Sequence, residues 1–206
     1  ALWGHVAQRA HQVPRLRDGL RALGLREAEG GHPHEPLGVE AFKFAKNAPR
    51  LVVFAPVIAG VEPGKQRETA SKRAKNGPST RRFRAQPVRH WDHWLHDNTD
   101  LAVTHLIAFD AAGANRSDLT PGARSEFAIE PVLDVSADGK WVVATRQTPG
   151  KDRELDTTLL LIDIDTKASR VLGAADNVTV EAPVFSPDAR HIAAVRMTRS
   201  PKTVVR

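Results

Sequence analysis

The sequence predicts an all-β protein built from four-stranded antiparallel sheets. The first observation is a segment with the pattern of a β-hairpin that recurs three times, at 44–54, 135–145 and 185–195. The second is another hairpin-like segment, which follows the first two copies at 105–120 and 159–172. Short strands in regularly spaced groups of four are typical of the blades of a β-propeller. We therefore expect a partial β-propeller of about two to three blades.

The recurring segment combines a polar turn with a short apolar run. The turn contains Asp138-Gly139 in the second copy and Pro187-Asp188 in the third. Pro presets φ, Asp caps turns and Gly accepts positive φ, so both dipeptides favour a tight turn. The runs that follow are short and rich in β-branched residues, as in strands buried on both faces. Each copy therefore predicts one hairpin.

The second hairpin completes each unit. In the first unit it turns at Ala111-Ala112-Gly113, and in the second at Thr166-Lys167. Each unit then holds two hairpins, which makes four strands. We accordingly predict that residues 132–172 form one complete blade.

The spacing of the copies predicts an insertion. Val135 and Phe185 are 50 residues apart, whereas Phe44 and Val135 are 91 apart. The excess must lie between the two hairpins of the first blade, at about 59–100. Residues 37–206 are therefore assigned to the partial propeller. Residues 1–36 lack the pattern and are interpreted as a remnant of an earlier blade.

Composition excludes several classes of protein. The chain has no Cys, which excludes disulfides and thiolate metal sites. It contains no apolar run of about 18 residues, so no membrane partner is expected. The only Met is Met197 and no signal segment precedes the body, so we expect sequence upstream of this chain. The compartment stays open, with the cytoplasm preferred to the periplasm or secretion.

The net charge of +6 is concentrated in one segment. Between 65 and 84 there are eight basic residues and a single acid, Glu68, together with Gly, Pro, Ser and Thr. This composition predicts an exposed, mobile loop, and we expect residues 60–84 to be flexible and dispensable for folding. Nucleic-acid binding through this loop is an alternative that we do not favour. The basic residues are Lys65, Arg67, Lys72, Arg73, Lys75, Arg81, Arg82 and Arg84.

A cluster of His, Trp and Asp follows the basic segment. His90, His93 and His96 are zinc-ligand types. We do not predict a metal site, because His90 and His93 would point to opposite faces of one strand and His96 would rotate away on a helix. The chain is also expected to bind no cofactor. The five residues singled out as a structural or substrate-contact motif are Arg89, His90, Trp91, Asp92 and Trp94.

Paired carboxylates occur at Asp163 and Asp165. Such pairs can perform acid–base catalysis. Asp165 lies beside a predicted turn, so turn capping is the favoured interpretation. The same interpretation is given to Asp134 and Asp138.

Three motifs together resemble a known family. They are the Phe-Ser-Pro-Asp turn at 185–188, the segment Arg89-His90-Trp91-Asp92 with Trp94, and 118–122 after a His-Leu strand. The turn alone is shared with TolB-type propellers. The ordered set, over about 39–206, resembles the dipeptidyl-peptidase and acylaminoacyl-peptidase branch of the prolyl-oligopeptidase family. That resemblance implies a propeller that caps an α/β-hydrolase domain, in which a Ser, Asp, His triad hydrolyses short peptides.

The chain departs from that family in ways that affect its function. It contains no Gly-x-Ser-x-Gly nucleophile elbow. Asn47-Ala48-Pro49 and Ala189 stand where the family's turns have Asp-Gly and Gly. We therefore predict that this chain contains no catalytic residue. Its expected role is to restrict access to the active site of a parent enzyme, so that only short peptides enter. The implied partners are a hydrolase domain and further blades, and a TolB-like protein-binding module is the alternative.

The chain contains too few blades to close a propeller ring. We therefore expect the apolar outer faces of its first and last blades to be exposed. We expect Val52, Phe54, Ile192 and Val195 to lie on such faces. Exposure of several large apolar side chains favours self-association of the chain.

Overall fold

A computed structural model describes residues 35–76, 88–90, 93–95, 102–124, 126–127, 131–149 and 155–198. These residues contain twelve strands, a short 3-10 helix at Pro63–Lys65 and one α-helix, α1 (Gln66–Asn76). All strand pairs are antiparallel, which confirms the predicted all-β class. The strands are β1 (Ala41–Phe44), β2 (Arg50–Val57), β3 (Val88–His90), β4 (His93–Leu95), β5 (Val103–Asp110), β6 (Ser117–Asp118), β7 (Leu133–Val135), β8 (Trp141–Pro149), β9 (Leu155–Asp163), β10 (Ser169–Leu172), β11 (Val178–Phe185) and β12 (Ile192–Thr198).

The first sheet has the strand order β1-β2-β5-β6. Its central pair, β2 and β5, runs in register from Arg50 opposite Asp110 to Val57 opposite Val103. The chain between these two strands carries α1 and the separate two-stranded sheet β3-β4.

The second sheet is a simple up-and-down meander, β7-β8-β9-β10. Its long central pair places Val142 opposite Ile162 and Val143 opposite Leu161. The four strands span Leu133 to Leu172, so the prediction of one four-stranded unit at 132–172 is confirmed.

The third sheet consists of β11 and β12 within the described residues. The pairing begins with Val178 opposite Thr198 and ends with Phe185 opposite Ile192. A bulge interrupts it between Glu181 and Val184, which locally bends β11.

The three sheets pack face to face in chain order. Val52 and Phe54 of the first sheet share an apolar core with Val142 and Ile162 of the second. Because side chains alternate along a strand, the next residue, Val143, points to the other face and packs against the third sheet. This stacking of antiparallel sheets is consistent with part of a propeller-like all-β fold.

The predicted exposure of apolar faces is wrong for the first sheet. Val52 and Phe54 are both 0% exposed, because the second sheet covers them. On the third sheet, Ile192 is half-buried against the second sheet, whereas Val195 is 53% exposed. The outer face of β11 and β12 therefore remains apolar and open to solvent.

Within the described part of the chain, no helix combines the length and the apolar character needed to cross a bilayer.

Candidate functional site

The predicted His-Trp motif falls on the hairpin β3-β4. Arg89 pairs with Trp94 and His90 pairs with His93 in its register. Trp91 and Asp92 lie outside the described residues, as does His96. The role of this motif, whether structural or in contact with a substrate, therefore stays a prediction.

The strand geometry used to argue against a metal ion does not hold. His90 and His93 lie directly opposite each other on two strands of a hairpin, rather than along a single strand. In the part of the chain that the structure describes, no group of three or more His, Asp or Glu is placed to hold a metal ion.

The basic segment is a helix over part of its length, which corrects the predicted loop. Residues Gln66–Asn76 form α1, and Glu68 and Lys72 make an i,i+4 ion pair at 2.6 Å. The hydrogen bond and positive charge of Lys72 lower the pKa of the Glu68 carboxyl below its ordinary value. Composition misled here because an exposed helix is as polar as a loop. Residues 77–84 lie outside the described residues.

Gln66 attaches α1 to the end of β2. Its side chain is buried, and its amide oxygen accepts the backbone N–H of Ile58 at 2.7 Å. Its amide nitrogen donates to the carbonyls of Ile58 (3.1 Å) and Val61 (2.6 Å). Arg67 adds a hydrogen bond to the carbonyl of Pro36 at 3.2 Å. One buried amide thus satisfies three backbone groups that would otherwise lose their hydrogen bonds.

Asp134 links all three sheets, which corrects its assignment to a turn. Its carboxylate lies 3.1 Å from the ammonium of Lys43 in β1 and accepts the backbone N–H of Phe185 in β11 at 2.8 Å. The Asp134 side chain is only 9% exposed, so these contacts take the place of water. The first strands of successive sheets are therefore joined at one point.

The turns of the first two sheets are also packed together. The backbone N–H of Asn47 donates to the carbonyl of Ala137 at 2.8 Å. Gly139 has φ +71, and a Cβ added there would lie 2.8 Å from the Cβ of Ala48. Gly therefore suits this position because it adopts a positive φ without strain and because it leaves room for the close approach of the sheets.

Asp163 and Asp165 have different roles. The Asp163 carboxylate accepts the backbone N–H groups of Asp165 (3.1 Å) and Thr166 (2.8 Å), so it caps the turn. Its pKa is lowered, chiefly by the Thr166 N–H. Asp165 instead pairs with Arg50 of the first sheet at 2.8 Å. The prediction of turn capping is therefore correct for Asp163, whereas Asp165 forms an ion pair between the first and second sheets.

The turn between β7 and β8 in the second sheet and the turn between β11 and β12 in the third sheet have the same hydrogen bonds. In each, a Ser hydroxyl donates to the Asp two residues later and accepts a backbone N–H five residues later, at 2.9 Å. The Ser hydroxyl is the main cause of a lowered pKa at Asp138 and Asp188. Turn capping by Asp138 is thereby confirmed. The residues involved are Ser136, Asp138 and Trp141, and Ser186, Asp188 and His191.

A His–Asp pair joins β5 to β6. Nδ1 of His105 lies 2.8 Å from the Asp118 carboxylate, which also accepts the Thr120 N–H at 2.9 Å. Burial acts to raise the pKa of Asp118, but the His105 hydrogen bond and charge, the Thr120 N–H and Arg116 together lower it. The motif at 118–122 is evident in the sequence, whereas the pairing of Asp118 with His105 is not. His105 is 3% exposed, so the pair has a structural role rather than access to a substrate.

A buried ion pair holds the segment before β1. The Arg116 guanidinium contacts both carboxylate oxygens of Glu35, at 2.7 and 3.3 Å. The Glu35 side chain is 1% exposed, so this bidentate pair replaces the hydration of the carboxylate. Nothing in the sequence pattern indicated this contact, since 81 positions separate the two residues.

The described residues define an all-β protein of stacked antiparallel sheets, in which the side chains of Asp134 and Asp165 join one sheet to the next. No known family profile matches the chain. It is 29% identical over 131 residues to "Probable dipeptidyl-peptidase 5" of Aspergillus terreus. The match covers 53% of this chain and 18% of the length of that relative. This similarity suggests a peptidase-related origin.

Proposed function

We propose that this chain is a non-catalytic propeller portion of a serine peptidase, where it restricts the access of substrates to short peptides. The observation that carries the proposal is the similarity to a probable dipeptidyl-peptidase over about half of the chain. The stacked antiparallel sheets support the same assignment. Because a fold alone does not imply a function, the assignment depends on that similarity.

The links between sheets support a scaffold role. Lys43, Asp134 and Phe185 join the first strands of three successive sheets. Arg50 and Asp165 form a further link between the first and second sheets. Such ties hold neighbouring sheets at a fixed angle, which a rigid wall around a substrate entrance requires.

The polar chemistry of the described residues supports a non-catalytic role. His105 and Asp118 have the geometry of two triad members, yet His105 is almost fully buried. The sequence has no Gly-x-Ser-x-Gly elbow to present a nucleophile.

The first experiment tests the lack of catalysis. The 206-residue chain is incubated with dipeptidyl p-nitroanilides and, separately, with a fluorophosphonate probe that labels activated Ser. We expect neither hydrolysis nor labelling. Stoichiometric labelling of any Ser would show that the chain carries its own nucleophile and would overturn the proposal.

The second experiment tests restriction of substrate size. In the Aspergillus terreus relative, the matched region is replaced by the corresponding segment of this chain. We expect the chimaera to retain hydrolysis of a dipeptidyl anilide and to remain inactive on a folded protein substrate. The unmodified relative is the control. A chimaera that is active on the anilide but also degrades the folded protein would contradict the proposed gating.

A further inference from the structure

A cavity of about 290 Å³ opens between the second sheet and residues 119–123 and 126–127, which follow β6. It lies beside the segment that follows β6 and beside the edge strand β10. Its floor is apolar and belongs to the shared core, with Leu119 4%, Phe127 3% and Ile162 0% exposed. Its volume is near the lower end of the range for small-molecule sites in proteins.

The rim of the cavity is polar and mostly basic. Arg170 is exposed on the edge strand β10, where its backbone pairs with β9, and its guanidinium has no hydrogen-bond or ion-pair partner among the described residues. Arg146 is 31% exposed, and its guanidinium lies 3.9 Å from the Glu126 carboxylate, beyond hydrogen-bond distance. The hydroxyl of Ser169 also lines the rim. The rim therefore carries two positive charges, on Arg146 and Arg170, and one negative charge, on Glu126, so the opening has a net positive charge.

We propose that this cavity binds a small apolar carboxylate. The apolar part of the ligand would lie on Leu119, Phe127 and Ile162, where it is removed from water. Its carboxylate would lie at the rim and accept hydrogen bonds from Arg170, whose planar donors match a carboxylate in a bidentate pair. Arg146 adds positive charge, partly offset by Glu126. An apolar floor with a few converging polar groups is the usual design of such sites.

The site is separate from the proposed role in a peptidase. It uses none of the residues of the β3-β4 hairpin and none of the links at Asp134. Binding at this cavity therefore depends on the packing of residues 119–123 and 126–127 against the second sheet and not on any attached hydrolase domain. Its test gives a result even if the chain has no connection with peptide hydrolysis.

The experiment measures binding of N-acetyl-leucine to the 206-residue chain by ligand-observed NMR. N-acetyl-leucinamide is the matched control, because it has the same apolar side chain without the carboxylate. We expect the acid to bind and the amide to bind at least about five-fold more weakly, as loss of one charge-assisted hydrogen bond requires. The acid is tested at up to about 20 mM, which is high enough to detect a dissociation constant in the millimolar range. The proposal would be overturned if the acid did not bind at that concentration, or if the acid and the amide bound equally well.

Two variants locate the binding in this cavity. Arg170→Gln removes the unpaired guanidinium, and we expect about five-fold weaker binding of the acid. Gly122→Trp places a large side chain at the cavity wall, where an added Cβ meets no atom within 4 Å, and we expect loss of binding. Arg190→Gln removes an exposed charge outside the cavity and should bind as the parent chain does. Thermal unfolding of each variant checks that it is folded.

The variants also define what would count against the cavity. If Arg170→Gln and Gly122→Trp are folded and both bind N-acetyl-leucine like the parent chain, the ligand binds elsewhere. Because the two substitutions act by different means, misfolding of one leaves the other as a valid test.

Discussion

The Asp134 carboxylate in the second sheet accepts the backbone N–H of Phe185 in the third sheet at 2.8 Å. Its other oxygen contacts Lys43 of the first sheet at 3.1 Å. One nearly buried side chain therefore satisfies a main-chain donor in one neighbour and a charge in the other. Asp134 therefore contributes a polar contact to both interfaces between the sheets.

Asp134→Ala should lower the free energy of unfolding by about 2 kcal/mol, because it leaves the Phe185 N–H without its partner. Asp134→Asn keeps an oxygen acceptor and should cost less. Lys43→Ala should cost under about 1 kcal/mol, since Lys43 is 52% exposed. Urea unfolding followed by Trp fluorescence measures all three. An Asp134→Ala variant as stable as the parent chain would show that the link between the sheets is not needed.

The two repeated turns allow a paired exchange of Gly and Ala. Gly139→Ala should destabilise the chain by about 1–3 kcal/mol, because of positive φ and the contact with Ala48. Ala189 has φ +59 in the corresponding turn, so Ala189→Gly should stabilise the chain by up to about 1 kcal/mol. Gly64→Ala, with no atom within 4 Å of its added Cβ, is the control. Thermal unfolding reports each change, and equal signs for the two exchanges would contradict the prediction.

Gln66→Glu should loosen α1 while leaving the sheets intact. The carboxylate keeps an acceptor but cannot donate to the carbonyls of Ile58 and Val61. We expect amide exchange in α1 to accelerate about ten-fold, which corresponds to roughly 1.4 kcal/mol of local stability. Hydrogen–deuterium exchange with mass spectrometry measures it. Arg73→Gln, on the exposed part of α1, should show no acceleration.

Asp118 should contribute to loss of stability in acid. Its pKa lies below the ordinary value of 3.8 in the folded chain. A lowered folded pKa gives stability that is complete above the unfolded pKa and disappears as the pH falls through the folded pKa. Asp118→Asn should therefore be less stable at pH 7 and show a shallower decline below about pH 4. Urea midpoints measured from pH 7 to pH 2.5 test this, and parallel curves for variant and parent chain would count against it.

The outer face of the third sheet should promote self-association. Val184, Val195 and Met197 are 56%, 53% and 45% exposed on this face. Contiguous apolar exposure of this kind favours association. We expect concentration-dependent sedimentation of the parent chain, reduced by Val195→Lys. Lys substitution at Val132, which is 44% exposed outside this sheet, is the matched control and should not reduce it. A parent chain that sediments as a monomer at all concentrations would contradict the prediction.

The turns are predictable from the sequence, whereas α1 is not, because the turns depend on short-range hydrogen bonds. The Ser136 and Ser186 turns depend on hydrogen bonds spanning no more than five residues, so their sequences predict them directly. The composition of the basic segment suits both a loop and an exposed helix, so composition alone does not distinguish the two. The signals in the sequence for a helix are the Glu68–Lys72 spacing and Pro63, which begins the 3-10 helix that leads into α1.

The sequence by itself determined the hairpins, their antiparallel strands and the four-stranded unit at 132–172, because alternation and turn chemistry act over a few residues. Only the tertiary structure decided that Val52 and Phe54 are covered. It also decided that Asp134 joins three sheets and that Glu35 meets Arg116. These contacts join residues 51 or more positions apart, and they form only once the faces of neighbouring sheets are packed together. Local pattern specifies which side chains lie on a face, whereas packing decides what that face contacts.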